Sequence, residues 1–352
     1  MTKKQVRYSV LDLVPIVQGS NASVALHNTI STVQMAERCG FTRYWVAEHH
    51  NMGGIASSAT SVVIGHVAQA TNHIRVGSGG IMLPNHAPLI IAEQFGTLAS
   101  LYPGRVDLGI GRAPGTDQRT AYALRRNLNS EIDNFPRDVM ELKMLLGPVQ
   151  PDQRVRAIPG VGTNVPIWIL GSSLYGAQLA AILGLPFGFA SHFAPAMMMD
   201  AIKVYRDHFK PSDELAEPYV MLGYNVCAAD TYEEAKFLRS SGLQSFLKMR
   251  TGQPAQLPPP IEDFEDMLDP TSKNMLKSAR SAASYGEPES VRGEIEKFLD
   301  ETDADELIVV CQIYEHEKRL HSFELTSDIF KEINRRREQQ QHENTMEVTA
   351  TS

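Results

Sequence analysis

Cysteine is scarce in this chain: Cys39, Cys227 and Cys311 are the only three in 352 residues. They stand far apart and in none of the spacings that bind metals or run redox chemistry, so no metal is expected. Their odd number argues against a disulfide framework. They read as small buried apolar residues. Long apolar runs are also missing. None approaches the ~20 residues of a membrane span, so no membrane partner is expected. Excess positive charge is absent, with 33 Lys and Arg against 41 Asp and Glu and a net charge of −8. No basic stripe interleaved with aromatics appears, and nucleic acid is set aside as a partner. The opening MTKKQVRYSVLDL carries no apolar stretch of leader length, which makes a cytoplasmic location the default expectation.

What the chain does have is 43% hydrophobic residues, enough for a large core. That core fits two ordinary domains or one α/β barrel, which takes ~250 residues and more with insertions. Strand-like runs fall at 7–11, 44–47, 74–78, 106–110, 166–170, 187–190, 219–228 and 307–310. Nearly every one is followed by helical periodicity, beginning with Leu26, Ile30, Val33 and Ala36 and the stop at Gly40. Ser57 or Ser58 is placed to cap the second helix, and Met197 to Met199 read as core filling. Residues 248–284 break the rhythm with an LPPP run and an acidic patch, as an inserted loop or lid. Eight strands with alternating helices predict a (β/α)₈ TIM-type barrel. The rival doubly wound sheet lacks its usual phosphate turn, because the loop after the first strand reads LDLVPIVQGS. One domain is expected over 1–336. Residues 337–352 are polar and read as a disordered tail.

Chemistry-bearing residues gather where strands end. Gly77, Gly79 and Gly80 lack the Cβ atoms that keep a flat ligand from the backbone. Arg112 follows the next strand with five fixed donors suited to phosphate. This stretch is expected to hold a phosphorylated planar cofactor. Glu48, His49 and His50 follow the second strand. A histidine there suits proton transfer near neutral pH, and the spacing leaves a catalytic and a structural role both open. Gly109 to Gly115 has the spacing GxGxxxG, a poor dinucleotide signal, and Arg112 within it also fits a salt bridge. Gly171, Ser172 and Ser173 open a helix, where free N–H groups bind phosphate or the serine simply caps the helix. Ser191 and His192 repeat the strand-end pattern.

Taken together, YWVAEHHN (44–51), VGSGGIMLPNHAP (76–88), GRVDLGIGR (104–112), ILGSS (169–173) and LPFGFASHFAP (185–195) resemble the bacterial luciferase-like flavin monooxygenase family. The resemblance spans 7–332 and is nearest to its small single-subunit branch. It implies a (β/α)₈ barrel that takes reduced FMN from a separate flavin reductase. With O₂ the flavin would oxidise a small organic substrate through a flavin hydroperoxide. By the same resemblance His49 is the catalytic base and Glu48 its acidic neighbour at the flavin. Gly79–Gly80 forms a cis peptide under the ring. Arg112, Gly171, Ser172, Ser173 and Tyr175 meet the phosphate, and Ser191 and His192 line the ring pocket. Tyr175 stands where a small hydroxyl residue is usual, and 248–284 differs from the luciferase lid, so light emission is not implied. A homodimer is implied by the family. A deazaflavin-dependent hydride-transfer enzyme and a non-catalytic FMN carrier are the alternatives.

Overall fold

The computed structural model describes residues 4–112, 118–124 and 134–350. Eight parallel strands form a closed ring: β1 (Arg7–Asp12), β2 (Arg43–Val46), β3 (Arg75–Met82), β4 (Val106–Gly111), β5 (Ile167–Gly171), β6 (Phe187–Phe189), β7 (Val220–Ala228) and, last in the chain, β9 (Glu306–Val310). β7 joins β6 on one side and β9 on the other, and β9 pairs with β1 to complete the circuit. All eight strands stand at the positions expected from sequence. The reason is burial on both faces, which makes a parallel strand read as an unbroken apolar run. All six residues of β4 and all five of β9 are buried.

A ninth strand, β8 (Ala283–Gly286), was expected as the end of the inserted loop instead. Its sequence ASYG has no apolar run. It exists because β7 is nine residues long: Met221–Asn225 pair with β9, and Asn225–Ala228 project further and carry β8.

The helices α1 (Ala22–Cys39), α2 (Thr60–Gln69), α3 (Pro88–Leu101), α4 (Gln118–Leu124), α5 (Phe135–Leu146), α6 (Leu174–Leu183), α7 (Met198–His208), α8 (Tyr232–Arg250), α9 (Pro270–Ala279), α10 (Pro288–Thr302) and α11 (His316–Ala350) complete the fold. Most pack outside the ring, and the main core lies between strands and helices. Among the described residues no helix is long and apolar enough to cross a membrane.

Four local expectations change. Ser57 and Ser58 do not cap α2; their hydroxyls donate to the carbonyls of Ala47 (2.6 Å) and His49 (2.7 Å) and fasten the loop after β2. Of the three methionines, only Met198 is buried, while Met197 and Met199 face outward. The tail expected from 337 is helical as far as Ala350, and Arg337 is buried against the Lys4 carbonyl at 3.0 Å. Residues 338–343 are polar and mostly exposed, as on a solvated helix face. The arginine-rich loop expected over 113–134 is described only at α4 and Asn134, and its other residues lie outside the described ones, Pro114 and Gly115 of the GxGxxxG run included.

Inside the ring two layers fill the end where the strands begin. Arg43 binds Asp107 (2.7 Å) and Glu306 (3.0 Å), and Arg75 binds Asp107 (2.5 Å). Asp107 and Glu306 are fully buried, so this network closes one mouth with paired charge. Above it Trp45 and Trp168 meet edge to face at 5.2 Å, with Met221 and Ile308 in the same cluster. The Arg43 guanidinium carbon lies 4.7 Å from the Trp168 ring centroid and joins the two layers. With this end plugged, only the mouth where the strands finish remains for a ligand.

Candidate active site

At that mouth lies a cavity of about 730 Å³. The segment after α8 roofs part of it. Leu257 pairs there with the loop after β1: the Gln18 N–H donates to its carbonyl at 2.8 Å, and its own N–H donates to Ile16 O at 2.9 Å. The stretch expected as an insertion is therefore an ordered part of the wall.

Of the eleven residues to which the resemblance gives a role, nine line this one cavity. His49 comes from the loop after β2, Gly79 and Gly80 from β3, and Arg112 from the end of β4. Gly171, Ser172, Ser173 and Tyr175 come from the turn between β5 and α6, and His192 from the loop after β6. Glu48 and Ser191 do not line it. Both are buried behind the wall as supports.

Glu48 is a hub. Its Oε1 accepts from His50 Nε2 at 2.8 Å and from His86 Nε2 at 3.0 Å, and its Oε2 accepts from the Met82 N–H at 3.0 Å. Burial pushes its pKa up, but the bonds and charge of His86, then His50 and the Met82 amide, hold it below the ordinary carboxylate value. Glu48, His50 and His86 also form a set of metal-ligand type, with ligating atoms within 4.8 Å of one another. Their separations are those of hydrogen bonds to an ionised carboxylate. Sequence spacing concealed this group, because His86 stands 38 residues after Glu48.

Ser191 is a clamp. Its hydroxyl donates to the Gly223 carbonyl of β7 at 2.7 Å, while Asn225 Nδ2 donates to His192 O at 2.7 Å. The His192 imidazole is thereby pressed on β7. Its Nδ1 is buried and has no hydrogen-bond partner among the described residues. Burial, with a smaller contribution from neighbouring His49, lowers its pKa from 6.5 to about 4, so the ring is neutral at pH 7. Asn225 was not singled out from sequence, since a lone polar residue inside a long apolar strand carries no motif.

The glycines of β3 are needed for a different reason from the one expected. A Cβ on Gly79 would stand 2.6 Å from Leu11 Cδ1, and one on Gly80 would stand 2.7 Å from the Gly109 carbonyl. Both collisions are with the barrel, so the bare backbone serves strand packing as well as the cavity. The Gly79–Gly80 peptide is cis.

The anion-binding features stand side by side. The Arg112 guanidinium carbon lies 4.0 Å from the centroid of the Tyr175 ring, and no carboxylate pairs with Arg112 among the described residues. Ser173 occupies the N-cap position of α6, yet its side chain makes no capping bond. First-turn N–H groups of α6 are therefore free of the serine cap that the sequence allowed. An exposed cation on an aromatic face, next to an uncapped helix start, fits a phosphate.

A closed parallel barrel with one large cavity at the finishing ends of its strands, edged by His49, His192 and Arg112, defines an enzyme-type ligand barrel. The chain belongs to the luciferase-like monooxygenase family, whose sequence pattern matches residues 6–306. It is 53% identical over 333 residues to a luciferase-like monooxygenase of Escherichia coli (strain K12), covering 95% of this chain and 99% of that one. It is 38% identical over 237 residues to the N-acetyl-S-alkylcysteine monooxygenase of Bacillus subtilis (strain 168), covering 66% of this chain and 70% of that one. The crystal structure of apo-MsnO8 superposes with a TM-score of 0.81 at 32% identity, covering 93% of this chain and 99% of that one.

Proposed function

We propose that the chain is an FMN-dependent monooxygenase that uses reduced FMN and O₂ to oxidise a small organic substrate. The observation that carries this reading is the placement of Arg112 on Tyr175, beside the uncapped start of α6 and on the same cavity as His49 and Gly79–Gly80. Arg112, Ser172, Ser173 and the first turn of α6 would hold the phosphate of FMN. The backbone of Gly79 and Gly80 and the neutral His192 would form the pocket for the flavin ring. Bound reduced FMN supplies the electrons that activate O₂.

The protein's own contribution is binding, orientation and proton handling. His49 gives or takes a proton at a ring nitrogen, held in place by the hydroxyl of Ser58 on its carbonyl. The apolar wall of Leu11, Ala47, Leu170 and Phe189 keeps water from the reacting groups. A separate reductase delivers the reduced flavin. A second copy of the chain packs on the outward apolar residues of α2, α3 and α5, where Val62 is 71% and Leu101 65% exposed.

The test supplies reduced FMN or reduced deazaflavin to the purified chain and follows O₂ uptake with a panel of organic substrates. Substrate-dependent uptake with FMN, lost in His49→Ala while FMN still binds, supports the reading. Turnover only with deazaflavin and without O₂ points to hydride transfer. FMN binding with no turnover that responds to His49→Ala points to a carrier.

A further inference from the structure

The same cavity is also walled by α8 and α9. One face of α8, with Arg239, Gly242, Leu243, Phe246 and Met249 at helical spacing, lines it. Leu276 of α9 and Tyr285 of β8 complete the wall.

The charge of this wall is one-sided. Among the described residues that line the cavity, Arg112, Arg239 and Arg280 are the charged ones, and no Asp or Glu is among them. In a chain of net charge −8 that is a focused positive site. Arg112 sits at the finishing end of β4, three strands around the ring from β7, which feeds α8. The other two arginines thus lie on a different part of the cavity wall.

Arg239 is built in firmly. Its side chain is 10% exposed, and its guanidinium carbon stands 3.3 Å from the Tyr285 ring centroid. One Nη bonds Glu265 Oε1, and Arg280 bonds Glu265 Oε2. A single carboxylate, which does not itself line the cavity, therefore serves two guanidinium groups, and Glu294 is a further carboxylate near Arg239. The Arg239 Nε is buried with no hydrogen-bond partner among the described residues.

We propose that Arg239, with Arg280 beside it, anchors a carboxylate on the organic substrate. The apolar body of that substrate lies along Leu243, Phe246, Met249 and Leu276 and brings its far end towards the flavin. The oxidised molecule is thus an amphiphilic acid. This rests on the monooxygenase reading, since it names the substrate class of the same cavity. The same anion chemistry would also suit a cofactor phosphate, and the experiment separates the two.

Octanoate and octan-1-ol are titrated calorimetrically into the full chain without flavin, and FMN affinity is read separately by fluorescence quenching. Octanoate is expected to bind about tenfold or more tightly than octan-1-ol, the difference made by a charge-assisted bond. Arg239→Gln removes that preference and Arg239→Lys keeps part of it, while FMN affinity changes by less than about twofold, since Arg239 lies outside its phosphate site. Arg280→Gln, at a side chain 55% exposed, lowers the preference without disturbing the buried guanidinium. No octanoate binding, equal binding of acid and alcohol, or a preference that survives both glutamine variants overturns the proposal. Loss of FMN affinity in Arg239→Gln assigns the site to phosphate and also overturns it. If the wild-type chain binds no FMN, the flavin reading falls while the octanoate comparison still decides the anchor.

Discussion

The Arg112 guanidinium carbon stands 4.0 Å from the centre of the Tyr175 ring. Tyr175 therefore acts through its face, and its hydroxyl is not needed to position the arginine. Tyr175→Phe should leave FMN affinity unchanged. Tyr175→Ala should weaken it about two- to fivefold, the size of an exposed cation–π contact. Arg112→Ala should weaken it by about tenfold or more, as expected for loss of a charge-assisted bond to phosphate. Fluorescence titration orders the three variants, and equal losses in Phe and Ala would refute the role given to the ring face.

His192 and Gly223 are matched in shape. A Cβ placed on Gly223 falls on His192 Nδ1, while Ser191 and Asn225 clamp the same loop to β7. Gly223→Ala should cost about 1–3 kcal/mol of stability through overpacking. The cost should shrink to about a third or less in a His192→Ala background, because the collision has gone. Urea unfolding of the four proteins measures this, and additive losses would show that the two sites do not touch.

The depressed pKa of His192 sets a pH dependence. Its folded value is about 4 against 6.5 for the free side chain. Between these values the unfolded chain takes up a proton that the folded chain refuses. Stability from this group is full above pH 6.5 and falls as pH drops towards 4. His192→Asn should flatten the urea-derived stability profile across that window, and parallel profiles for the two proteins would contradict the buried neutral imidazole.

Glu48, His50 and His86 carry hydrogen bonds of 2.8–3.1 Å. Treatment with EDTA followed by dialysis should leave the melting temperature unchanged. Glu48→Gln should lower stability by about 1–3 kcal/mol, because histidine donors lose a charged acceptor. A melting temperature that falls with EDTA and returns with zinc would instead make the group a metal centre.

Much of this architecture was legible in the sequence. Parallel strands buried on both faces announce themselves as apolar runs, and the strand-end pairs Glu48–His49 and Ser191–His192 mark where the loops begin. Nine of the eleven residues to which the resemblance gives a role meet at one cavity for that reason. What sequence could not supply was direction and distance. Glu48 and Ser191 follow strands like their neighbours, yet turn into the wall. His86 reaches Glu48 from the start of another helix, and Arg239 meets Tyr285 from 46 residues away across the irregular segment. β8 is held by the overhang of β7 and not by its own four residues. Ser173 occupies a cap position without capping, which only coordinates reveal.

The most direct test is an anaerobic titration with reduced FMN, followed by rapid mixing with oxygenated buffer while full spectra are recorded. Saturable binding that Arg112→Ala weakens is expected. Reoxidation should then pass through a species spectrally distinct from both reduced and oxidised FMN and longer-lived than in free solution. Failure to bind reduced FMN, or reoxidation at the free-flavin rate with no such species, would contradict the monooxygenase reading.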